Sequence, residues 1–201
     1  MPTDPRRDST ELEATTPPLI QPELLPAGAR VGRYRILGLV GEGGMGRVYR
    51  AEQLEPVQRT VALKLIRGAS QDPLLSAMLA VEAQALAQVD HPAIARLYEL
   101  GRTLHGEPFL ALEWVEGEEL DAYLARTRPP AAARVRLLQR VCLGVHHAHL
   151  RGVVHRDIKP GNILVPLVDG RPEPKLIDFG IAVAGGPGAG LQVPVAGSRG
   201  Y

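Results

Sequence analysis

Four polar residues in the second half of the sequence have the types and the spacing of a catalytic or metal-binding cluster. Asp157, Lys159 and Asn162 lie together in the segment HRDIKPGN, and Asp178 begins the triplet DFG after a predicted strand. Such a loop combines a proton acceptor, a cation and an amide oxygen, and Asp178 adds a carboxylate at a strand end. An amide oxygen in such a loop can ligate a metal ion. Each motif alone also fits a surface turn, but their joint occurrence in this order favours a single site.

A glycine-rich segment lies much earlier in the chain. Gly41, Gly43 and Gly46 fit the spacing G-x-G-x-x-G, and Val48 follows them. Glycines let a backbone approach phosphate oxygens closely because no side chain intervenes. Dinucleotide-binding folds use the same spacing, but there a helix follows the loop, whereas residues 47–52 are predicted to form a strand. The order of elements therefore disfavours a dinucleotide-dependent oxidoreductase.

Lys64 lies in the middle of the strand-like run TVALKLI. A buried lysine is costly without a partner, and the alternative is an edge-strand lysine that points to solvent. The helix predicted next carries one charged residue, Glu82, on the stripe expected to face inward. The apolar members of that stripe are Leu75, Leu79, Leu86 and Val89. We therefore predict that Lys64 and Glu82 pair with each other.

Turn residues and periodicity divide the chain into elements that would position these side chains. Strands are predicted near residues 34–40, 47–52, 60–66, 95–100 and 108–114, and a helix at 73–89 with Asp72 as N-cap and Pro73 at its first position. Helices at 119–126 and 131–150 follow, and then short strands at 163–165 and 175–177 flank the Asp169-Gly170 turn. The predicted fold class is α+β.

Composition excludes several classes of protein. Lys plus Arg is 23 and Asp plus Glu is 22 in 201 residues, so the net charge of +1 gives no reason to expect nucleic acid or an anionic membrane as partner. The single cysteine, Cys142, excludes an internal disulfide and is expected to be a buried small hydrophobe. No run of about 18 uncharged apolar residues occurs, so no membrane segment is predicted and a cytoplasmic location is expected.

Together the motifs resemble the protein kinase family over about residues 33–201: its Gly-rich loop, its V-A-I-K strand as VALK, its H-R-D-x-x-x-x-N loop and its D-F-G. Lys159 is typical of serine/threonine kinases, and the wording of the loops resembles the bacterial, eukaryotic-like branch. Six prolines that break helices predict a flexible leader over residues 1–32, and the resemblance implies a two-lobed fold for the rest. Residues 33–116 would form a complete β-rich N-lobe with one helix, and residues 117–201 an incomplete, mainly helical C-lobe.

The resemblance also implies roles in phosphoryl transfer. Asp157 would accept the proton of a substrate hydroxyl group as the catalytic base, and Lys159 would neutralise the γ-phosphate of ATP. Lys64, positioned by Glu82, would hold the α- and β-phosphates. A stack of three side chains would mark the active state, and these are Leu86, His155 and Phe179.

Metal and nucleotide ligands follow from the same resemblance. Asn162 and Asp178 would ligate Mg²⁺. Leu112 would be the gatekeeper, residues 113–115 the hinge, and Asp121 a ribose contact. The implied nucleotide-binding residues are Gly41, Gly43, Gly46, Val48, Ala62, Lys64, Glu113, Val115 and Leu164.

The implied function is transfer of the γ-phosphate of ATP to Ser or Thr of a protein substrate, with a homodimer left open as a further partner. The segment AGSRGY at residues 196–201 resembles the one just before the A-P-E motif, so the resemblance predicts a truncated domain. Apolar faces of the 131–150 helix would then be partly uncovered. The alternative from another class is a catalytically silent nucleotide-binding or scaffolding fragment.

Residues 181–197 contain no Ser, Thr or Tyr. Because Arg156 then has no phosphate to pair with in that segment, we predict that activity does not require its phosphorylation. Phosphopeptide mapping of the active chain tests this, and a phosphate on Ser198 that is essential for turnover would contradict it. The expected autophosphorylation sites are in the leader, at Ser9, Thr10, Thr15 and Thr16.

Overall fold

The computed structural model of the chain describes residues 24–44, 46–70 and 72–179. In these ranges one antiparallel sheet has the strand order β1-β2-β3-β4-β6-β5. Its strands are β1 (Arg30–Val31), β2 (Tyr34–Gly43), β3 (Gly46–Gln53), β4 (Arg59–Ile66), β5 (Leu97–Arg102) and β6 (Pro108–Glu113). The other elements are α1 (Pro73–Ala87), β7 (Glu118–Glu119), α2 (Leu120–Thr127), α3 (Ala131–His149), β8 (Ile163–Val165), β9 (Leu167–Val168), β10 (Arg171–Pro172) and β11 (Lys175–Leu176).

The α+β class is confirmed, and each predicted strand and helix of the described ranges is present with ends shifted by a few residues. The predicted boundary of the leader at residue 32 differs from the structure, because β1 pairs with β2 and Leu25 and Ala29 pack against the core of the sheet. The rest of the leader, residues 1–23, lies outside the described residues. So do residues 180–201, with the segment of the phosphorylation prediction.

The core of the sheet is built from alternate residues of its strands, because successive side chains point to opposite faces. Tyr34 packs edge-on against Phe109, with ring centroids 5.6 Å apart. The Tyr34 hydroxyl donates to the Glu99 carboxylate at 2.5 Å, which satisfies the one polar atom of this ring. The core side chains are Val31, Tyr34, Ile36, Tyr49, Ala51, Val61, Leu63, Phe109 and Ala111.

Helix α1 begins as its sequence predicts. The Asp72 side chain accepts hydrogen bonds from the backbone N–H groups of Leu74 and Leu75, and Pro73 occupies the first turn. The helix buries Leu79 and further members of the predicted stripe, among them Leu86. It therefore packs along the sheet and reaches the C-terminal part of the chain with its last turn.

Two connections join the sheet to the C-terminal part. The first is the chain itself, which leaves β6 at Glu113. The second runs behind it, where Ala95 N donates to Leu176 O at 2.9 Å and Leu176 N donates to Ala93 O at 2.8 Å. Glu113 N in turn donates to Arg96 O at 2.8 Å. We call this set, residues 93–96 with Glu113 and β11, the back junction.

Helix α3 buries one face and exposes apolar side chains on the other. Leu137 and Val141 are buried, whereas Val135 and Leu138 are exposed, as the resemblance implied. Cys142 is exposed, so its prediction as a buried hydrophobe is wrong, because it lies on the uncovered face. Among the described helices, none is both long and apolar enough to cross a bilayer.

Gly101 is predicted to be essential for packing of β5 on β6. A Cβ at this position would lie within 2.9 Å of three ring atoms of Phe109, which is itself buried. We expect Gly101→Ala to lower the free energy of unfolding by about 1–3 kcal/mol, measured by urea denaturation. The matched control is Gly38→Ala, because a Cβ at Gly38 meets no atom within 4 Å. Equal effects of the two substitutions would contradict the packing argument.

Candidate active site

A cleft of about 450 Å³ lies between the sheet and the C-terminal part. Most of its wall is apolar, formed by Val40, Val48, Ala62, Ala95, Leu112, Val115, Leu164 and Ile177. Its polar residues include Lys64, Glu119, Asn162 and Asp178. Such a cavity suits a flat apolar ring together with a charged group.

The glycine-rich segment forms the turn between β2 and β3, and only part of it reaches the cleft. Gly41 lies on the cleft wall, whereas the predicted ligands Gly43 and Gly46 do not. Gly46 has φ +141°, and a Cβ there would overlap the carbonyl oxygen of Leu65. This glycine is therefore required by the close approach of β3 to β4.

Lys64 is 6% exposed and its ammonium is ion-paired with the carboxylate of Asp178. Burial of a charge at this depth requires such a partner. Asp178 itself has φ +55°, a conformation that is uncommon for a residue with a side chain. Strain of this kind concentrates at functional sites, which fits a carboxylate that must be aimed into the cleft.

The predicted pairing of Lys64 with Glu82 is not what the structure shows. Glu82 instead accepts a hydrogen bond from Arg156 Nη1 at 2.8 Å, and among the described residues no ion pair joins it to Lys64. The sequence argument matched the two charges because each lies among apolar neighbours. The fold instead brings Asp178 to Lys64 and Arg156 to Glu82, and both of these partners are distant in sequence.

Asp157, Lys159 and Asn162 converge as their spacing predicts. Asp157 Oδ2 accepts from Lys159 Nζ at 2.8 Å and from Asn162 Nδ2 at 2.9 Å, and Asn162 Nδ2 also donates to the Asp157 carbonyl at 2.8 Å. The hydrogen bond from Lys159, reinforced by that from Asn162, holds the pKa of Asp157 below its usual range. The hydrogen bond to Asp157 likewise raises the pKa of Lys159.

The fit of this site to a magnesium ion can be judged from its donor atoms. Because the amide nitrogen of Asn162 bonds to Asp157, its Oδ1 is turned elsewhere, and no described residue donates to it. Asp178 adds a carboxylate whose side chain is 41% exposed. Amide and carboxylate oxygens are the ligands that Mg²⁺ prefers, so the residues present fit the ion.

His155 and Phe179 form the predicted stack below the cleft. Their ring centroids lie 4.6 Å apart, and Leu86 belongs to the same buried cluster as Phe179. His155 Nε2 donates to the Ile177 carbonyl at 3.0 Å, and its Nδ1 accepts from Asp157 N at 3.3 Å. These bonds link the loop that contains Asp157 to the backbone that carries Asp178.

Glu119 is a cleft residue that the sequence argument missed. The resemblance suggested Asp121 as the ribose contact, but Asp121 is exposed, bonds to the Ala122 N–H, and is not on the cleft wall. Glu119 lines the cleft, and a Cβ added at Gly161 would lie 3.5 Å from its Oε2. Its pairing through β7 with β8, which is not apparent from two residues of sequence, places it there.

Comparison with known proteins agrees with this geometry. The family model of the protein kinase domain matches residues 34–201, and the chain therefore belongs to the protein kinase family. It is similar to the serine/threonine-protein kinase pkn3 of Myxococcus xanthus, at 39% identity over 153 residues, which cover 75% of this chain and 28% of pkn3.

Further relatives give the same result. The serine/threonine-protein kinase PrkC of Bacillus subtilis is 38% identical over 161 residues, which cover 78% of this chain and 24% of PrkC. The chain thus spans about a quarter of the length of these two curated relatives. A crystal structure of the Mycobacterium tuberculosis PknI kinase domain matches 80% of this chain and 63% of its own, with a TM-score of 0.65 at 27% identity.

The pH dependence of stability is expected to report on His155. Burial lowers the pKa of this imidazole below its usual value. Burial is also the main reason why the pKa of His91 is lowered. The imidazole therefore binds a proton more tightly in the unfolded chain than in the folded one. The free energy of unfolding is thus highest above about pH 6.5 and decreases as the pH falls toward the folded-state pKa. Urea denaturation between pH 7.5 and 5.5 should show this loss, and a smaller one in His155→Gln.

The matched control for this measurement is His105→Gln, because His105 is exposed on the turn between β5 and β6. This variant should keep the pH dependence of the wild type. If the stability of His155→Gln decreases on acidification as steeply as that of the control, the assignment of the pH dependence to His155 is wrong.

Proposed function

We propose that the chain binds ATP with Mg²⁺ in this cleft and transfers the γ-phosphate to a Ser or Thr hydroxyl of a protein substrate in the cytoplasm. The observation that carries the proposal is that Lys64, Asn162 and Asp178 line one apolar cleft, with Asp157 hydrogen-bonded to Asn162 beside it. The names of the relatives, all serine/threonine-protein kinases, support the same reaction class.

Asp157 is suited to receive the substrate hydroxyl group. Its Oδ2 is engaged by Lys159 and Asn162, whereas no described residue donates to its Oδ1. Because its pKa is held low, the carboxylate is ionised near neutral pH and is a weak base. It would therefore orient the hydroxyl by accepting its hydrogen bond, and take the proton as the bond from the hydroxyl oxygen to the γ-phosphorus forms and the bond from that phosphorus to the β–γ bridging oxygen breaks, which releases ADP.

The cationic side chains are suited to the phosphate groups. Lys64 lies in the cleft wall with its backbone fixed in the sheet, so its ammonium, which pairs with Asp178 in this structure, would reach the α- and β-phosphates beside that carboxylate. Lys159 stands beside Asp157, where negative charge on the transferred group would be neutralised. Asn162 and Asp178 would hold the ion, and bound Mg²⁺ supplies charge neutralisation of the phosphate oxygens.

The rest of the cleft is suited to the nucleoside. Val48 and Ala62 from the sheet and Leu164 from β8 line it and would enclose the base, with the backbone of residues 113–115 at its edge. Glu119 is the carboxylate placed to accept hydrogen bonds from ribose hydroxyl groups. We therefore assign the ribose contact to Glu119 and not to Asp121.

A substitution series tests the proposed transfer. We expect Asp157→Asn to lower phosphate transfer from radiolabelled ATP to a Ser/Thr-containing protein substrate by about 100-fold or more, because the proton acceptor is lost. Asp178→Asn should abolish the rise in melting temperature that Mg²⁺–ATP gives the wild type, a stabilisation of about 1.4 kcal/mol at ten times the dissociation constant. Asp121→Asn makes the same chemical change outside the cleft and should leave both readings unchanged.

The results also decide between the two functions. Equal transfer by the wild type and Asp157→Asn would refute the catalytic role. A melting temperature that rises with Mg²⁺–ATP, without any transfer, would favour the catalytically silent nucleotide-binding module.

A further inference from the structure

The carboxylate of Glu113 is held from two sides by residues that do not line the cleft. Its Oε1 accepts from Lys175 Nζ at 2.5 Å, and its Oε2 accepts from the backbone N–H of Arg96 at 3.2 Å. The side chains of Glu113 and Lys175 are 23% and 19% exposed, so their charges are largely removed from water. A half-buried ion pair of this kind is less screened by water than a surface ion pair, so its two side chains are held more rigidly.

The two partners belong to opposite ends of the proposed nucleotide site. Glu113 ends β6 and begins the hinge, and it also lines the cleft. Lys175 begins β11, three residues before Asp178. Lys175 itself does not line the cleft but faces a groove behind the hinge. It can therefore affect a nucleotide only through the position of other residues.

The backbone beyond Lys175 transmits its position to the polar end of the cleft. Leu176 is hydrogen-bonded to residues 93 and 95 of the back junction. Ile177 N then donates to the Asn162 carbonyl at 3.0 Å, and Asp178 comes next. The proposed metal ligands thus follow β11, which the back junction and the Glu113–Lys175 pair together hold against the hinge.

We propose that Lys175 is a positioning residue, which sets the distance between the hinge and the metal-binding end of the cleft through its ion pair with Glu113. This inference rests on the proposed function, because it concerns ligands that occupy both ends of that site. A nucleotide is bound at two places at once, so its affinity depends on their spacing. Ligands that touch one end only do not depend on it.

The test compares three probes on the 201-residue chain by titration calorimetry: Mg²⁺–ADP, adenosine, and Mg²⁺–tripolyphosphate. We expect Lys175→Met to weaken the binding of Mg²⁺–ADP by about tenfold. Adenosine and Mg²⁺–tripolyphosphate each occupy one end of the site, and their affinities should change by less than about twofold. Lys175→Arg keeps the cation and should restore most of the affinity. Arg171→Met removes a cation from the same groove, and should bind all three probes as the wild type does.

A second variant makes the test independent of the folding of the first. Glu113→Gln removes the ion pair but keeps an oxygen for the Arg96 N–H, and we expect the same pattern from it. Mg²⁺–ADP binding within twofold of the wild type in either variant would overturn the inference. So would an equal loss for all three probes, since that is the signature of a general structural defect. Failure of the wild type to bind Mg²⁺–ADP would instead refute the proposed function, and this inference with it.

Discussion

A lysine ammonium inside an antiparallel sheet must find a carboxylate, and the arrangement of this chain depends on that requirement. Lys64 comes from the middle of the sheet, whereas its partner Asp178 follows a two-residue strand of the C-terminal part. The carboxylate can reach the ammonium only because the back junction holds β11 against residues 93–96. The same strand leads into Ile177, whose backbone is hydrogen-bonded to Asn162 and His155 and so fixes the loop between them.

Most elements of the fold could be predicted because their signals are local. Asp72 and Pro73 define the start of α1 through a cap and a fixed φ, which involve neighbouring residues alone. The run TVALKLI likewise forms β4 because its side chains suit a buried strand. The convergence of Asp157, Lys159 and Asn162 follows for the same reason, since six residues of one loop set it.

The parts that could not be predicted depend on contacts between distant segments. Two opposite charges among apolar neighbours predict a pair of Lys64 with Glu82, but the sequence does not reveal the distance between α1 and β4. Two other charged groups, Asp178 and Arg156, satisfied them instead. Glu119 could not be predicted as a cleft residue, because the pairing of β7 with β8, a contact across 45 residues, brings it to the cleft. The exposure of Cys142 depends in the same way on what covers α3.

The back junction also limits how the two walls of the cleft can move. Sliding of one wall along the other would break hydrogen bonds of 2.8 and 2.9 Å, whereas rotation about the line of these bonds would preserve them. Opening of the cleft is thereby reduced to a single angle. Entry or release of a ligand that changes this angle alone would leave the register of Lys64 against Asp178 unchanged, and the same charge alignment would return on closure.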